Sequence, residues 1–325
     1  MTTTLDSREP ARWVDYVALA RPNHWIKHVF ILPGIALALL LRPRPWTDVV
    51  ADVALGLLSA ALLASANYVL NEWLDAQSDR HHHSKSKRPA VAKRLSPGLV
   101  VFEYLALAAT GLALAWALSG PYLVVSSLLL LSGLVYNIPP VRTKEIPFLD
   151  VISEATNNPI RLTLGWVMVD PTTLPPGSLL LAYWMGGAFL MALKRLGEYR
   201  SAEAQGRLEA LLVYRRSFQR YTEESLLLSS FLYALLAAFF LAVFLVKYRI
   251  EYLLTLPIFA ALFVLYLHVA LKKDSPVQEP EHLHREKALV VMVAILAVAL
   301  ALLTWIDLPI LERLTSPHYI EISRD

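Results

Sequence analysis

No cysteine occurs among the 325 residues. Its absence excludes disulfides, thiolate metal sites and cysteine nucleophiles. Charge is scarce as well. Asp, Glu, Lys and Arg make up 18% of the chain against 56% hydrophobic residues, and the mean hydropathy is +0.47. That balance excludes an ordinary soluble domain and fits a polytopic membrane protein. No cleavable signal peptide is expected, because the first apolar run begins beyond Trp25 and no small-residue cleavage site follows it. Low-complexity tracts and a separate soluble domain are missing too, so 1–325 reads as a single transmembrane domain. No nucleic-acid partner is expected.

Nine apolar segments are present, at about 25–41, 49–74, 98–118, 121–138, 148–169, 178–194, 225–246, 250–271 and 288–306. They predict an all-α bundle of nine transmembrane helices. Lys and Arg test the topology, since cytoplasmic loops carry an excess of them. Of the 30, Arg42, Arg44, Lys247, Arg249, Arg313 and Arg324 fall on one side. Arg161 lies inside a segment, and all the others fall on the opposite side. The expected placement is the cell inner, cytoplasmic membrane, with the N-terminus in the cytoplasm and the C-terminus outside. The polar stretches 75–97 and 194–224 then share the cytoplasmic side and form a lid over a cavity that opens there.

The strongest local pattern is NYVLNEWLDAQSDRHHHSKSKRP, residues 67–89. Asn67, Asn71, Asp75 and Asp79 recur every four residues, so on a helix the row drifts only about 40° per step and stays on one stripe. Asp75 and Asp79 are one turn apart and repel unless they share a cation. Mg2+ suits them, because it takes oxygen ligands, keeps waters and joins one or two carboxylates to substrate phosphates. Arg80, Lys85, Lys87 and Arg88 follow as phosphate partners. A cytoplasmic loop alone would need these cations but not the Asn/Asp stripe. His81, His82 and His83 are not expected to form a metal site, because adjacent loop residues rarely converge on one ion.

Two further stretches carry polar groups. Residues 136–166 contain Tyr136, Lys144, Asp150, Glu154, Asn157, Asn158 and Arg161. Polar groups inside a span are costly unless they face a wet cavity and one another. They read as a second metal-and-phosphate face, with Tyr136 and Lys144 at its mouth. A purely structural pairing of Arg161 with Glu154 is the alternative. Near the N-terminus, Arg21-Pro22, Trp25 and Lys27 read either as an interfacial anchor or as a contact to a lipid phosphate.

The first stretch resembles the signature of the UbiA-type intramembrane prenyltransferases, Asn-Asp-x-x-Asp-x-x-x-Asp followed by a loop ending in Arg-Pro. Here it stands as Asn71-Glu72-x-x-Asp75-x-x-x-Asp79, then Arg80, Lys85 and Arg88-Pro89. By resemblance Asn71, Glu72, Asp75 and Asp79 are the metal-binding positions, with Glu72 replacing the usual Asp. Within that superfamily, shorter matches are similar to the polyprenyl-phosphate phosphoribosyltransferase branch. They are Arg21-Pro22-x-x-Trp25-x-Lys27-His28, the spacing of Asp150, Arg161 and Gly165, Lys194-Arg195-x-x-Glu198, and Arg215-Arg216-x-Phe218-x-x-Tyr221-Thr222. Ordinary members carry a second Asp-x-x-x-Asp, for which Asp150-x-x-x-Glu154 would stand.

The resemblance implies Mg2+-dependent transfer of a 5-phosphoribosyl group from phosphoribosyl diphosphate to a polyprenyl phosphate of decaprenyl type. Asn71, Asp75, Asp79, Asp150 and Glu154 would be catalytic. Lys27, Asn67, Arg80, Lys85, Arg88, Tyr136, Lys144, Asn157, Asn158, Arg161, Lys194 and Arg195 would bind substrate. Membrane lipids are expected partners, and oligomeric state stays open. The alternative enzyme moves a polyprenyl group from its diphosphate to an aromatic acceptor. A transporter that binds without reacting is disfavoured, because no convincing repeat in two halves is present.

Overall fold

The computed structural model describes residues 8–42, 44–80, 85–272, 275–278 and 285–315. His81–His83 lie outside these, as does the C-terminus. Fourteen α-helices are described. In chain order they are α1 (Trp13–Leu19), α2 (Leu32–Leu41), α3 (Trp46–Asp79), α4 (Pro89–Ala92), α5 (Pro97–Leu118), α6 (Gly120–Asn137), α7 (Leu149–Ala155), α8 (Asn157–Val169), α9 (Gly177–Ala204), α10 (Leu208–Tyr214), α11 (Glu223–Tyr248), α12 (Leu256–Ala270), α13 (Lys287–Trp305) and α14 (Pro309–Thr315). A nine-residue 3-10 segment, Pro22–Phe30, joins α1 to α2. One short parallel pair, Glu9–Pro10 with Lys93–Arg94, ties the N-terminal arm to the chain after α4.

Among the described residues eight helical stretches are long and apolar enough to cross a membrane. The protein is an integral membrane protein with the expected all-α bundle. The fifth expected span, 148–169, is not one long helix: it is divided into α7 and α8 at Thr156. The cause is Pro159. Its ring clashes with the carbonyl four residues back, that of Ala155, and it has no N–H to donate. Thr156 Oγ1 turns back to Ile152 O at 3.0 Å, and Ile160 N resumes the ladder to Thr156 O at 3.3 Å.

Two apolar cores flank a central cavity. One is built mainly from α2, α3, α5, α6 and α8, the other mainly from α7, α9, α11 and α12. Where α2 meets α8 the backbones touch: a Cβ on Gly165 would stand 2.2 Å from Ile31 O. Only glycine permits that approach, which seats α8, and Arg161 with it, against the arm that carries Lys27. α13 has 11% of its most apolar window buried, the mark of a lipid-facing helix.

Helix length carries polar residues out of the apolar layer. At 1.5 Å per residue α3 is about 51 Å long, well beyond a hydrocarbon core of about 30 Å. Its C-terminal turns, with Asn71, Asp75 and Asp79, reach one end of the bundle. The chain before α2, the 85–97 and 138–148 loops and the 207–222 segment gather at that end, joined by bonds such as Lys85 to Tyr214 and Arg215 to Lys144 O. The opposite end is held by Arg44 Nη1 donating to Val169 O at 2.9 Å and by Arg249 pairing with Asp307 at 2.9 Å.

Candidate active site

The cavity holds about 1420 Å³ and opens at the polar end. The α3 stripe forms part of its wall. Asn67 Nδ2 donates to Leu129 O at 2.9 Å, and a Cβ on Gly133 would stand 2.2 Å from Asn67 Oδ1. Glycine at 133 is what lets Asn67 sit there. One turn on, Asn71 Nδ2 donates to Asn137 Oδ1 at 2.6 Å and to Asp75 Oδ2 at 3.2 Å. Asp75 Oδ1 accepts from Lys144 and, at 3.1 Å, from Arg142 Nη2. Asp79 is fully buried beyond the wall, with Arg88 Nη1 donating to Oδ2 at 2.6 Å.

Glu72 does not join the stripe. It points away from the cavity and accepts from Arg21 Nε at 2.9 Å and from Ala90 N at 3.5 Å. This corrects its expected place among the metal ligands: one residue after Asn71 it lies about 100° around the helix. Arg21, at φ 48° in the left-handed region, is held there by that pair. Arg80 is exposed at the helix end, away from the cavity wall.

The expected second acidic face is neutralised from within. Arg195, 1% exposed, donates to Asp150 Oδ2 at 3.0 Å and Glu154 Oε2 at 2.6 Å, and lies 3.4 Å from Glu198. Asp150 is wholly buried, accepts also from Ser217 Oγ at 3.2 Å and from Tyr221, and is not part of the cavity wall. Glu154 reaches the wall and accepts from Tyr136 Oη at 2.8 Å. Arg195, not a metal, therefore joins Asp150 to Glu154 here. Asn157 is tied to Ser132 Oγ at 3.0 Å, and Asn158 and Lys194 line the wall.

Arg161 is placed differently from Arg195. It lines the cavity, its Nε is buried without a hydrogen-bond partner, and no ion pair to it occurs among the described residues. Glu154 is committed to Arg195 and Tyr136, so the structural pairing of Arg161 with Glu154 does not occur. Lys27 shares this wall, with Nζ 3.3 Å from His24 Nδ1.

Sequence reasoning missed several contributors. Arg142 and Asn137 bind the stripe directly. Arg215 donates to Lys144 O at 3.3 Å and to Tyr136 Oη. Tyr214 accepts from Lys85 and places its ring 4.6 Å from the ammonium. Arg215 had a signal in the Arg-Arg pair that matches the family pattern. Arg142 had only its nearness to Lys144. Burial pulls the Lys144 ammonium down to about 8 against the opposing pull of Asp75, and burial pulls Lys85 down to about 8 against Glu198.

The donors present fit a magnesium ion, which takes oxygen ligands. Asn71 and Asp75 present side-chain oxygens to the cavity one turn apart, while Asp79, whose buried Oδ1 has no hydrogen-bond partner among the described residues, lies one turn further on behind the wall. Among the described residues no three acidic or histidine side chains gather into a cage of their own there. A metal would complete its shell with substrate phosphates and water. The arrangement can therefore bind a metal-bound, polyanionic substrate and stabilise a departing diphosphate.

Comparison with known proteins agrees. Residues 29–283 match the UbiA prenyltransferase family. The decaprenyl-phosphate phosphoribosyltransferase of Mycobacterium tuberculosis is 30% identical over 225 residues, covering 68% of this chain and 71% of that one. A protoheme IX farnesyltransferase of Alkalihalophilus pseudofirmus is 29% identical over 197 residues, covering 58% and 62%. A UbiA homologue from Archaeoglobus fulgidus, solved with GPP and Mg2+, superposes with a TM-score of 0.65 at 21% identity, over 89% of this chain and 99% of that one. On its motif helix, its bundle and these matches, the chain belongs to the UbiA prenyltransferase family and is a membrane transferase.

Proposed function

We propose that the protein transfers a 5-phosphoribosyl group from phosphoribosyl diphosphate to a polyprenyl phosphate. The observation that carries this reading is Arg161, a cavity cation with no anionic partner among the described residues, on the wall it shares with Lys27. The mouth already offers Lys85, Arg88, Arg142, Lys144, Lys194 and Arg215. An allylic diphosphate with an aromatic acceptor brings one anionic group. Phosphoribosyl diphosphate with a lipid phosphate brings three. The similarity to the mycobacterial phosphoribosyltransferase over two thirds of the chain supports the same choice.

In this reading an oxygen of the lipid phosphate attacks the anomeric carbon of the ribose. A bond forms from that oxygen to the carbon, and the carbon–oxygen bond to diphosphate breaks. The nucleophile is already anionic, so no general base is required. Asn71 and Asp75 at the wall, with Asp79 one turn further along α3, would hold Mg2+, which when bound neutralises the charge of the leaving diphosphate. Lys144, Lys194 and Arg88 bind diphosphate oxygens. Asp75 and Glu154 favour the positive charge that develops at the sugar carbon. Arg161 binds the 5-phosphate, and Lys27 places the acceptor. Asp150 positions Arg195 from behind.

We further infer nine crossings, counting α7 and α8 together. With Thr156 between them, the stretch 149–169 extends about 31 Å at the helical rise, enough for one crossing. With the cationic loops inside, the cavity faces the cytoplasm and the N-terminus is cytoplasmic. The test of function is an assay of membranes containing the protein with labelled phosphoribosyl diphosphate and, in parallel, labelled allylic diphosphate. Lipid-soluble label from the first donor supports the reading. Label from the second alone makes the protein a prenyltransferase.

A further inference from the structure

Asp75 is the carboxylate of the α3 stripe that lines the cavity, and the chain itself neutralises it twice over. Lys144 donates to its Oδ1, and Arg142 Nη2 donates to the same oxygen at 3.1 Å. Lys144 also reaches Asn137 Oδ1 at 2.7 Å. Arg142 sits at φ 29°, a left-handed backbone that a residue with a Cβ avoids. Its side chain over-determines that conformation: Nε donates to Glu145 Oε1 at 2.6 Å and Nη1 to Asn137 O at 3.2 Å, beside the bond to Asp75. Strain held in this way clusters where a side chain must be aimed.

A divalent cation approaching Asp75 alone meets two resident cations at one oxygen. Lys144 cannot leave without an anion to receive it, because an unpaired charge in a partly buried site is costly, whereas Arg142 keeps Glu145 as it swings away. Diphosphate is such an anion. We propose that Arg142 and Lys144 are exchangeable counter-cations of Asp75 that make metal and diphosphate binding mutually dependent, so that the cavity takes up a metal–diphosphate complex and discriminates against the free divalent cation. This rests on the diphosphate reading of the cavity but not on which group the donor carries. No covalent bond changes in the exchange: the two side chains pass from Asp75 to diphosphate oxygens, and the vacated carboxylate faces the metal. The absence of a three-carboxylate cage among the described residues agrees with it. By linkage each ligand then tightens the other by the same factor.

The experiment uses the purified full chain in detergent, with Mn2+ followed by electron paramagnetic resonance and inorganic pyrophosphate by calorimetry. The wild-type protein should bind manganese pyrophosphate at least about tenfold more tightly than either component alone. The double variant Arg142→Gln with Lys144→Gln leaves Asp75 without a counter-cation, with Asn71 still donating to its Oδ2. It should gain about tenfold in affinity for Mn2+ alone and lose affinity for manganese pyrophosphate. Asp75→Asn provides the reciprocal reading should the double variant not fold. It releases both cations, so metal-free pyrophosphate should bind more tightly than to the wild type, while the Mn2+ response falls. No gain in Mn2+ affinity in a folded double variant, or no gain for metal-free pyrophosphate in Asp75→Asn, overturns the exchange while leaving the diphosphate site standing. Wild-type protein that binds pyrophosphate in no form overturns the diphosphate reading and this inference with it.

Discussion

Replacing Arg161 by Met and Arg195 by Met should give opposite results, although both side chains line one cavity. Arg195 is 1% exposed and holds Asp150, Glu154 and Glu198. Removing one member of a buried ionic network costs about 3–5 kcal/mol, because the remaining charges stay buried and unpaired. At roughly 2 °C per kcal/mol for a chain of this size, Tm should fall by roughly 6–10 °C. Arg161 has no ion pair among the described residues, and its Nε is unpartnered. An uncompensated cation in a span costs at least about 2.5–3.5 kcal/mol, so its removal should leave stability level or raise it. Function should suffer instead. Loss of a charge-assisted bond to a substrate phosphate is worth about 1.5–3 kcal/mol, hence at least about a tenfold rise in donor KM. Thermal unfolding in detergent and donor titration read the two outcomes. A Tm loss for Arg161→Met as large as for Arg195→Met would make Arg161 a structural partner. An unchanged donor KM would remove its phosphate role.

Four other outcomes follow from the same geometry. Asp75→Asn and Asp79→Asn should each lower turnover by at least about 10²–10³-fold, as should chelation of Mg2+; full activity in EDTA would sink the metal assignment. The pH profile of kcat/KM for the donor should decline as pH rises through about 8, because Lys144 and Lys85 lose their protons there and diphosphate loses two cations. A profile flat to pH 10 would take both lysines out of binding. Gly133→Ala should displace Asn67, whose Oδ1 lies 2.2 Å from the added Cβ, and cost about 1–3 kcal/mol, read as a lower Tm with weaker donor binding. Reporter fusions should place the 85–97 and 207–222 loops in the cytoplasm and residue 325 outside; a cytoplasmic C-terminus would contradict nine crossings.

Periodicity made the α3 stripe legible, because Asn67, Asn71 and Asp75 repeat at the pitch of the helix that carries them. The same arithmetic speaks against Glu72, one residue off the stripe, but its likeness to a family Asp outweighed the angle. The long apolar runs made the bundle legible. The division of 148–169 also had a local cause in Pro159, which hydropathy does not weigh. What could not be read is long-range pairing. Nothing near Asp150 or Glu154 announces that Arg195, more than forty positions away, will occupy both. Nor does the loop sequence show that Arg142 will take a left-handed backbone and turn onto Asp75. These pairs arise only when the mouth loops close over α3, so a reading by spacing left the carboxylates free for metal where the fold gives each a cation.

The central claim is tested most directly by mass spectrometry of the lipid itself. Membranes containing the protein would be incubated with Mg2+, phosphoribosyl diphosphate and a polyprenyl phosphate, and the extracted lipid weighed. The account predicts a product heavier by one phosphoribosyl group, one diphosphate released per product, and neither in the Asp75→Asn protein. Unaltered polyprenyl phosphate, from membranes in which the same protein consumes an allylic diphosphate to alkylate an aromatic acceptor, would contradict it.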